Sequence, residues 1–333
     1  MTGFEIGCLA AAGALALAAL GYAVYFLCSP MPVVKRLRRG PCEEPVELPG
    51  DAAALLARVT VQRDLVYPSD YGKNTLDLYL PKDAQAAPLV LWVHGGAFVA
   101  GDKNGVKNWG VTLAANGYAV AAINYEWAPE APYPAPLFQI ADALRFLTKY
   151  AAEGAPLDMG RLAFAGDSAG AHMAAQAVLL ATNPAFSERL GIRLPIAKNA
   201  LRCALLYCGP YDLERFFGIK NRVLRLFISR IGWSYFGRRD WKNAPLLDTV
   251  TVPRYVTRDF VPTYITDGNT FSFESHGRAL GERLREAGVK TAERYFDKAQ
   301  FGEVMHEYQL RLHEKNAQDC LADTLQFLAE TMQ

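Results

Sequence analysis

The chain predicts an α/β fold: a mostly parallel sheet flanked by helices, with an inserted cap and one transmembrane helix ahead of it. Three observations predict this. Apolar strand-like runs alternate with helical patterns from residue 59 onward. Gly166-Asp167-Ser168-Ala169-Gly170 sits between the apolar run Arg161–Ala165 and a helix-forming stretch. No charged residue occurs from Ile6 to Cys28, and a bilayer core needs roughly 20 such residues. The 333 residues are 51% apolar, enough for one large α/β core plus an appendage. A net charge of +1 gives the chain no electrostatic reason to bind nucleic acid.

The first 28 residues are therefore expected to be a membrane anchor. A cleaved signal peptide needs a basic start and a shorter apolar core, whereas the only early charge here is Glu5. Lys35, Arg36, Arg38 and Arg39 follow the span, and positive flanks favour the cytoplasmic side for the chain that follows it. Leu27 precedes Cys28 where a lipid-modified cysteine needs a small residue, so no lipoprotein is expected. Prolines 30, 32, 41, 45 and 49 make residues 29–58 a linker, apart from a short helix over Asp51–Arg58.

Residues 59–333 are expected to form the α/β domain. Val59–Val66 and Thr75–Leu80 read as an antiparallel pair around the turn from Pro68 to Asn74. Leu89–Val93 and Ala119–Ile123 are continuous apolar runs, as strands covered on both faces require. Helical patterns occupy Val106–Asn116, Pro136–Tyr150 and Ala169–Thr182, with later ones at Glu274–Ala287 and Asp319–Glu330. Leu201–Tyr207, Thr263–Thr266 and Thr291–Phe296 supply further strands. Residues 210–260 break this rhythm as a cap insertion rich in aromatics and in Lys and Arg. Its aromatics are expected to pack over the site and its basic residues to face water or anionic lipid headgroups. The six cysteines, at 8, 28, 42, 203, 208 and 320, show neither a disulfide framework nor zinc spacing.

The glycines flanking Ser168 mark a nucleophile elbow, a strained turn that exposes the serine hydroxyl and points the Ala169 amide at the same space. His94-Gly95-Gly96 ends an upstream strand, and amides in such a turn can approach a developing negative oxygen. Gly95, Gly96 and Ala169 are the candidate oxyanion donors. A serine hydroxyl needs a neutral imidazole to take its proton. Of the five histidines, His94 sits at the turn, His172 rides on the helix leaving the elbow, and His276 falls in the Glu274–Ala287 pattern. Chain order selects His306, which follows the last strand, over His313 in a late helical stretch. The acid that orients the base should follow Thr263–Thr266; Asp267 is nearest, and Glu274 is the second choice.

These segments, with Asn124-Tyr125, Ala128-Pro129-Glu130 and Gly209-Pro210-Tyr211-Asp212, resemble the bacterial α/β-hydrolases of the hormone-sensitive-lipase and carboxylesterase group, from about Leu76 to the C-terminus. The resemblance implies the α/β-hydrolase fold, Ser168 as nucleophile, His306 as base, and Gly95, Gly96 and Ala169 as oxyanion donors. Two departures stand out. The group usually has Gly-x-x-Asp after the penultimate strand, and that slot holds Phe271 counted from Gly268, or Asn269 counted back from the next helix. His306-Glu307-Tyr308 stands where His-Gly-Phe is common.

The expected function is a membrane-tethered serine esterase acting on short-to-medium carboxylic esters through an acyl-enzyme, with Ser168, His306 and Asp267 as the catalytic residues. No metal or organic cofactor is implied, and the oligomeric state is not fixed. An amide-directed hydrolase, such as an aryl formamidase or a peptidase, would use the same residues. The rival from another class is a non-catalytic binding protein on a hydrolase fold.

Overall fold

Alternation along the central strands decides how the sheet is covered. A computed structural model describes residues 2–40, 48, 50–197 and 199–333. Helices α1 (Gly3–Cys28), α2 (Met31–Arg38) and α3 (Ala52–Ala57) precede the sheet. The strands are β1 (Val59–Val66), β2 (Thr75–Pro81), β3 (Ala87–Val93), β4 (Ala119–Ile123), β5 (Leu157–Asp167), β6 (Leu201–Tyr207), β7 (Thr263–Thr266) and β8 (Thr291–Arg294). Their spatial order is β1-β2-β4-β3-β5-β6-β7-β8. β2 pairs antiparallel with β1 and β4, and every later neighbour is parallel.

On β3, Leu89, Leu91 and Val93 enter one apolar cluster while Val90 and Trp92 enter the other. Both clusters need helical cover, because a parallel sheet is apolar on both faces. Helix α4 (Lys107–Ala115) and the C-terminal helix (Lys315–Thr331) cover the Trp92 side through Val111, Leu113, Phe327 and Leu328. Helices α5 (Ala135–Ala152) and α6 (Ala169–Thr182) cover the other through Leu137, Ile140, Met173 and Val178. Each fully buried aliphatic side chain of this kind stabilises the fold by about 1.5–3 kcal/mol.

The remaining helices are α7 (Pro184–Leu190), α8 (Arg222–Phe236), α9 (Val252–Tyr255), α10 (Glu274–Glu286) and α11 (Lys298–Phe301), which makes the C-terminal helix α12. Helix α7 falls outside the expected elements although its start is readable: Asn183 accepts from the Phe186 amide at 3.1 Å and Pro184 occupies the first turn. His313 lies in a turn ahead of α12 instead of in a helix.

Part of the expected linker is helical. Pro41, Pro45, Pro49 and Cys42 lie outside the described residues, but residues 31–38 form α2 and dock on the body. Pro30 and Pro32 permit this because they stand at the helix start, where an amide proton has no partner to lose. Val34 is fully buried. Arg38 donates to the carbonyls of Val99 (2.8 Å) and Ala128 (3.1 Å) and pairs with Glu130 at 2.6 Å.

Within α1, the span Gly7–Cys28 is 22 residues long with mean hydropathy 1.9 and none of it buried. That is long and apolar enough to cross a bilayer. Its last turn meets the cap, where Arg230 of α8 donates to the Phe26 carbonyl at 2.9 Å and stacks over the Phe26 ring. The cap occupies the connection between β6 and β7, and Tyr235 of α8 stacks on Phe98 with ring centroids 4.0 Å apart.

Candidate active site

Ser168, the candidate nucleophile, is set by close approach of backbones. Ser168 has φ 50° and ψ −118°, between the end of β5 and the first turn of α6. A Cβ on Gly170 would collide with the Val93 carbonyl oxygen and lie 2.6 Å from that of His94. One on Gly166 would lie 2.5 Å from the Gly170 carbonyl carbon. Only glycine fits either place, which is the physical content of the motif.

Asp167, absent from the expected site, ties this elbow to β3. Its carboxylate accepts from the Trp92 indole at 2.7 Å and from the Gly95 amide at 2.8 Å. The expectation that Gly95 is an oxyanion donor is thereby corrected: its N–H is already taken by a carboxylate. The amides of Gly96 and Ala169 make no other hydrogen bond among the described residues and remain the candidates. His94 is a structural residue, as expected. It is fully buried, stacks on Tyr125 at 4.5 Å and donates from Nδ1 to the Gly95 carbonyl at 2.7 Å.

His306, the candidate base, arrives on two loops laced together. Asn269 and Thr270, after β7, donate their amides to the Val304 carbonyl at 2.8 and 3.0 Å. Val304 in turn donates to Asn269 Oδ1 at 2.9 Å, and the His306 amide donates to Thr270 at 3.0 Å. This holds the His306 ring against the edge of Phe273, with centroids 5.1 Å apart. The Ser168 hydroxyl meets His306 Nε2 at 3.0 Å.

On the other side of the ring, Asp267 Oδ1 is 3.6 Å from Nδ1, longer than a formed hydrogen bond. Both Asp267 oxygens accept from their own loop, from Gly268 N at 2.8 Å and Phe273 N at 2.7 Å. Glu274 is turned away and bonded to Arg278 at 2.7 Å. Of the two acids considered, the structure brings Asp267 to the base and not Glu274. The two residues in the expected Asp slot have other places: Asn269 laces the loops, and Phe271 is 85% exposed.

The other imidazoles are elsewhere. His172 holds the Pro210 carbonyl at 2.8 Å, His276 accepts from the Asp212 amide at 3.4 Å, and His313 is half exposed beside Glu314. Burial holds His94, His172 and His276 down at about 4. His306 moves the other way. Burial opposes its protonation, but Asp267, Glu307 and Asp167 together outweigh that and hold it above the usual histidine value. Burial, with Glu307 nearby, pushes Asp167 up to about 7.

Cys208, Asp267 and His306 offer ligand atoms within 4.8 Å of one another. The donor set suits a metal poorly, because burial raises the Cys208 thiol well above its ordinary value and its proton goes to Gln309 at 3.2 Å. Cys8 and Cys28 are exposed and Cys203, Cys208 and Cys320 buried, all as free thiols.

Residues 76–272 match the BD-FAE family. An acetyl esterase of Salmonella paratyphi B is 33% identical over 67% of this chain and 67% of its own length. The esterase LipQ of Mycobacterium tuberculosis is 27% identical over 68% of this chain and 53% of its own. A probable isoprenylcysteine alpha-carbonyl methylesterase of Oryza sativa is 31% identical over 46% of this chain and 36% of its own, so the match spans about a third to a half of these last two relatives. Among solved structures, esterase B from Lactobacillus rhamnosis superposes with a TM-score of 0.73 at 19% identity, covering 95% of this chain and 94% of that one. A bacterial heroin esterase gives 0.65 at 23% identity, covering 91% and 98%. The sheet order, the strained serine turn and these matches agree: the chain belongs to the BD-FAE family and is an α/β-hydrolase of the hormone-sensitive-lipase and carboxylesterase group.

Proposed function

We propose that this protein is a membrane-tethered serine carboxylesterase that cleaves short-to-medium esters through an acyl-enzyme. The observation that carries the reading is the 3.0 Å contact between Ser168 Oγ and His306 Nε2 at a strained elbow. Nε2 takes the hydroxyl proton as Oγ attacks the ester carbonyl, and Asp267 stabilises the imidazolium so formed. The negative oxygen of the tetrahedral intermediate is received by the Gly96 and Ala169 amides, each such donor being worth on the order of 3 kcal/mol. Nε2 returns its proton to the departing alcohol. Water, deprotonated by the same nitrogen, then attacks the acyl carbonyl and frees Ser168 with release of the acid. The names of the esterase and methylesterase relatives favour small acyl or alcohol groups.

Ser168→Ala is expected to abolish labelling by a fluorophosphonate and to lower ester turnover by at least about 10⁴-fold. Retained labelling would place the nucleophile elsewhere.

The tether is supported by α1, with Lys35 and Arg36 on α2 and Arg39 just past it exposed and favouring the cytoplasmic face. The first half of α8, fixed to the end of α1 through Arg230, exposes Arg222, Val223, Leu224, Arg225 and Leu226. Cationic and apolar side chains together suit an anionic bilayer surface, with roughly 1 kcal/mol per basic residue. In full-length protein reconstituted into vesicles, trypsin should cut at Arg222 and Arg225 several-fold more slowly with phosphatidylglycerol than with phosphatidylcholine alone. Equal rates would sink the lipid contact, and release of the chain by alkaline carbonate would sink the tether.

A further inference from the structure

The two departures from the group's pattern meet at one imidazole. Asp267 stands 3.6 Å from Nδ1 with both oxygens engaged by Gly268 N and Phe273 N, and His306 Nδ1 is buried without a hydrogen-bond partner. On the opposite side Glu307 Oε1 lies 3.9 Å from Nε2. Glu307 adopts φ 58° and ψ 29°, the left-handed conformation that favours glycine. Among the described residues no lysine or arginine pairs with it; its one cationic neighbour is His306.

We propose that Glu307 is a positioning residue that supplies, by charge alone, imidazolium stabilisation that the loosely placed Asp267 leaves incomplete. This rests on the reading of His306 as the base. An opposite charge within about 4–6 Å favours the protonated ring, and protonated imidazole is what forms as Ser168 attacks. Glu307 acts through His306.

Its neighbours make the assignment specific. A Cβ on Gly95 would lie 2.6 Å from Asp167 Oδ2 and 2.8 Å from Glu307 Oε1, so the two carboxylates crowd one point beside the oxyanion turn. Asp167 is bonded only to neutral donors, the Trp92 indole and the Gly95 amide. Burial and the Glu307 charge push its carboxyl up, while the Trp92 indole, the Gly95 amide and His306 pull it down. Cys208 keeps its proton. The groups facing His306 are thus Asp267, Glu307, Asp167 and the Cys208 thiol, and Glu307 is the one carboxylate on its Nε2 side with no hydrogen bond to its oxygens among the described residues.

The sign follows. Removing the Glu307 charge makes the imidazolium harder to form. The acid limb of the kcat/KM profile moves to lower pH while the plateau falls. Glu307→Gln should move the limb down by about half to one pH unit and lower the plateau about ten-fold. Glu307→Gly, which suits the backbone, should do the same, and Glu307→Asp should restore both to near wild type. Combined with Asp267→Asn, Glu307→Gln should cost more than the product of the single losses, because each carboxylate covers for the other. NMR titration of the His306 ring in unreacted protein reads the same shift without activity, so failure of the esterase reading stays distinguishable. A limb and a ring titration unmoved in folded Glu307→Gln and Glu307→Gly would overturn the proposal.

Discussion

The Ser168 half and the His306 half of this candidate site are built to different tolerances. On the nucleophile side, β5, the elbow and the turn after β3 touch through backbone, and the Asp167 carboxylate is bonded on both oxygens within 2.8 Å. On the base side, two loops are joined through the Asn269 side chain and a few amides, and the acid stands 3.6 Å from the ring it should orient. The difference teaches that the fold fixes where the Ser168 hydroxyl points, while the His306 ring is held by loop contacts that leave its Nδ1 without a hydrogen bond. Hydrogen bonds of this kind often tighten only when substrate is bound.

The largest break in that contrast comes from the acid. Asp267→Asn should lower kcat on a neutral soluble ester by about 10²- to 10⁴-fold, because the amide no longer stabilises the imidazolium. A loss under about five-fold would mean that the 3.6 Å gap persists in the substrate complex and that Asp267 acts only on its own loop. Glu274→Gln should leave kcat near wild type, since that carboxylate is bonded to Arg278.

A smaller effect distinguishes the two halves by stability. Gly170→Ala puts a methyl against two backbone carbonyls that cannot step aside, and should cost about 3 kcal/mol or more in urea unfolding. Phe271, at φ 50° and 85% exposed on the base side, should tolerate glycine within about 1 kcal/mol, because relief of the left-handed backbone offsets the entropy lost. Equal costs at the two positions would erase the contrast.

The same contrast explains what the sequence could convey. Gly166, Ser168 and Gly170 were legible because the clash that demands each glycine is local to one turn and its neighbouring strand. The strands and helices around them were legible because burial on two faces leaves unbroken apolar runs such as Leu89–Val93. Ser168, His306 and Asp267 are brought together, His306 being identified by chain order. Gly95 was misassigned because its amide is claimed by Asp167, 72 residues away in sequence, and no spacing rule reports that bond. Glu307 is legible in sequence only as a departure from His-Gly-Phe, because its meaning depends on how far Asp267 stands from the ring. Residues 31–38 read as linker from their prolines, and only the docked surface shows that Val34 and Arg38 are held by the body.

The smallest effect concerns pH and the histidines that flank the site without serving it. His94 beside the nucleophile turn, His172 on α6 and His276 on the base side are each held at about 4 against a free value of 6.5. The folded chain therefore refuses protons that the unfolded chain accepts, so their stability contribution is intact above pH 6.5 and is lost as pH falls toward 4. Asp167, raised to about 7, works in the opposite sense: its contribution is present below its unfolded value of 3.8 and fades as pH rises through 7. Because the two trends overlap, a wild-type profile alone cannot separate them. His172→Asn can, since its amide can still donate to the Pro210 carbonyl but does not titrate. Between pH 7.5 and 5 the wild type should lose on the order of 2 kcal/mol more than this variant in urea unfolding. Parallel losses in the two proteins would mean that His172 is reached by water and protonated in the native state.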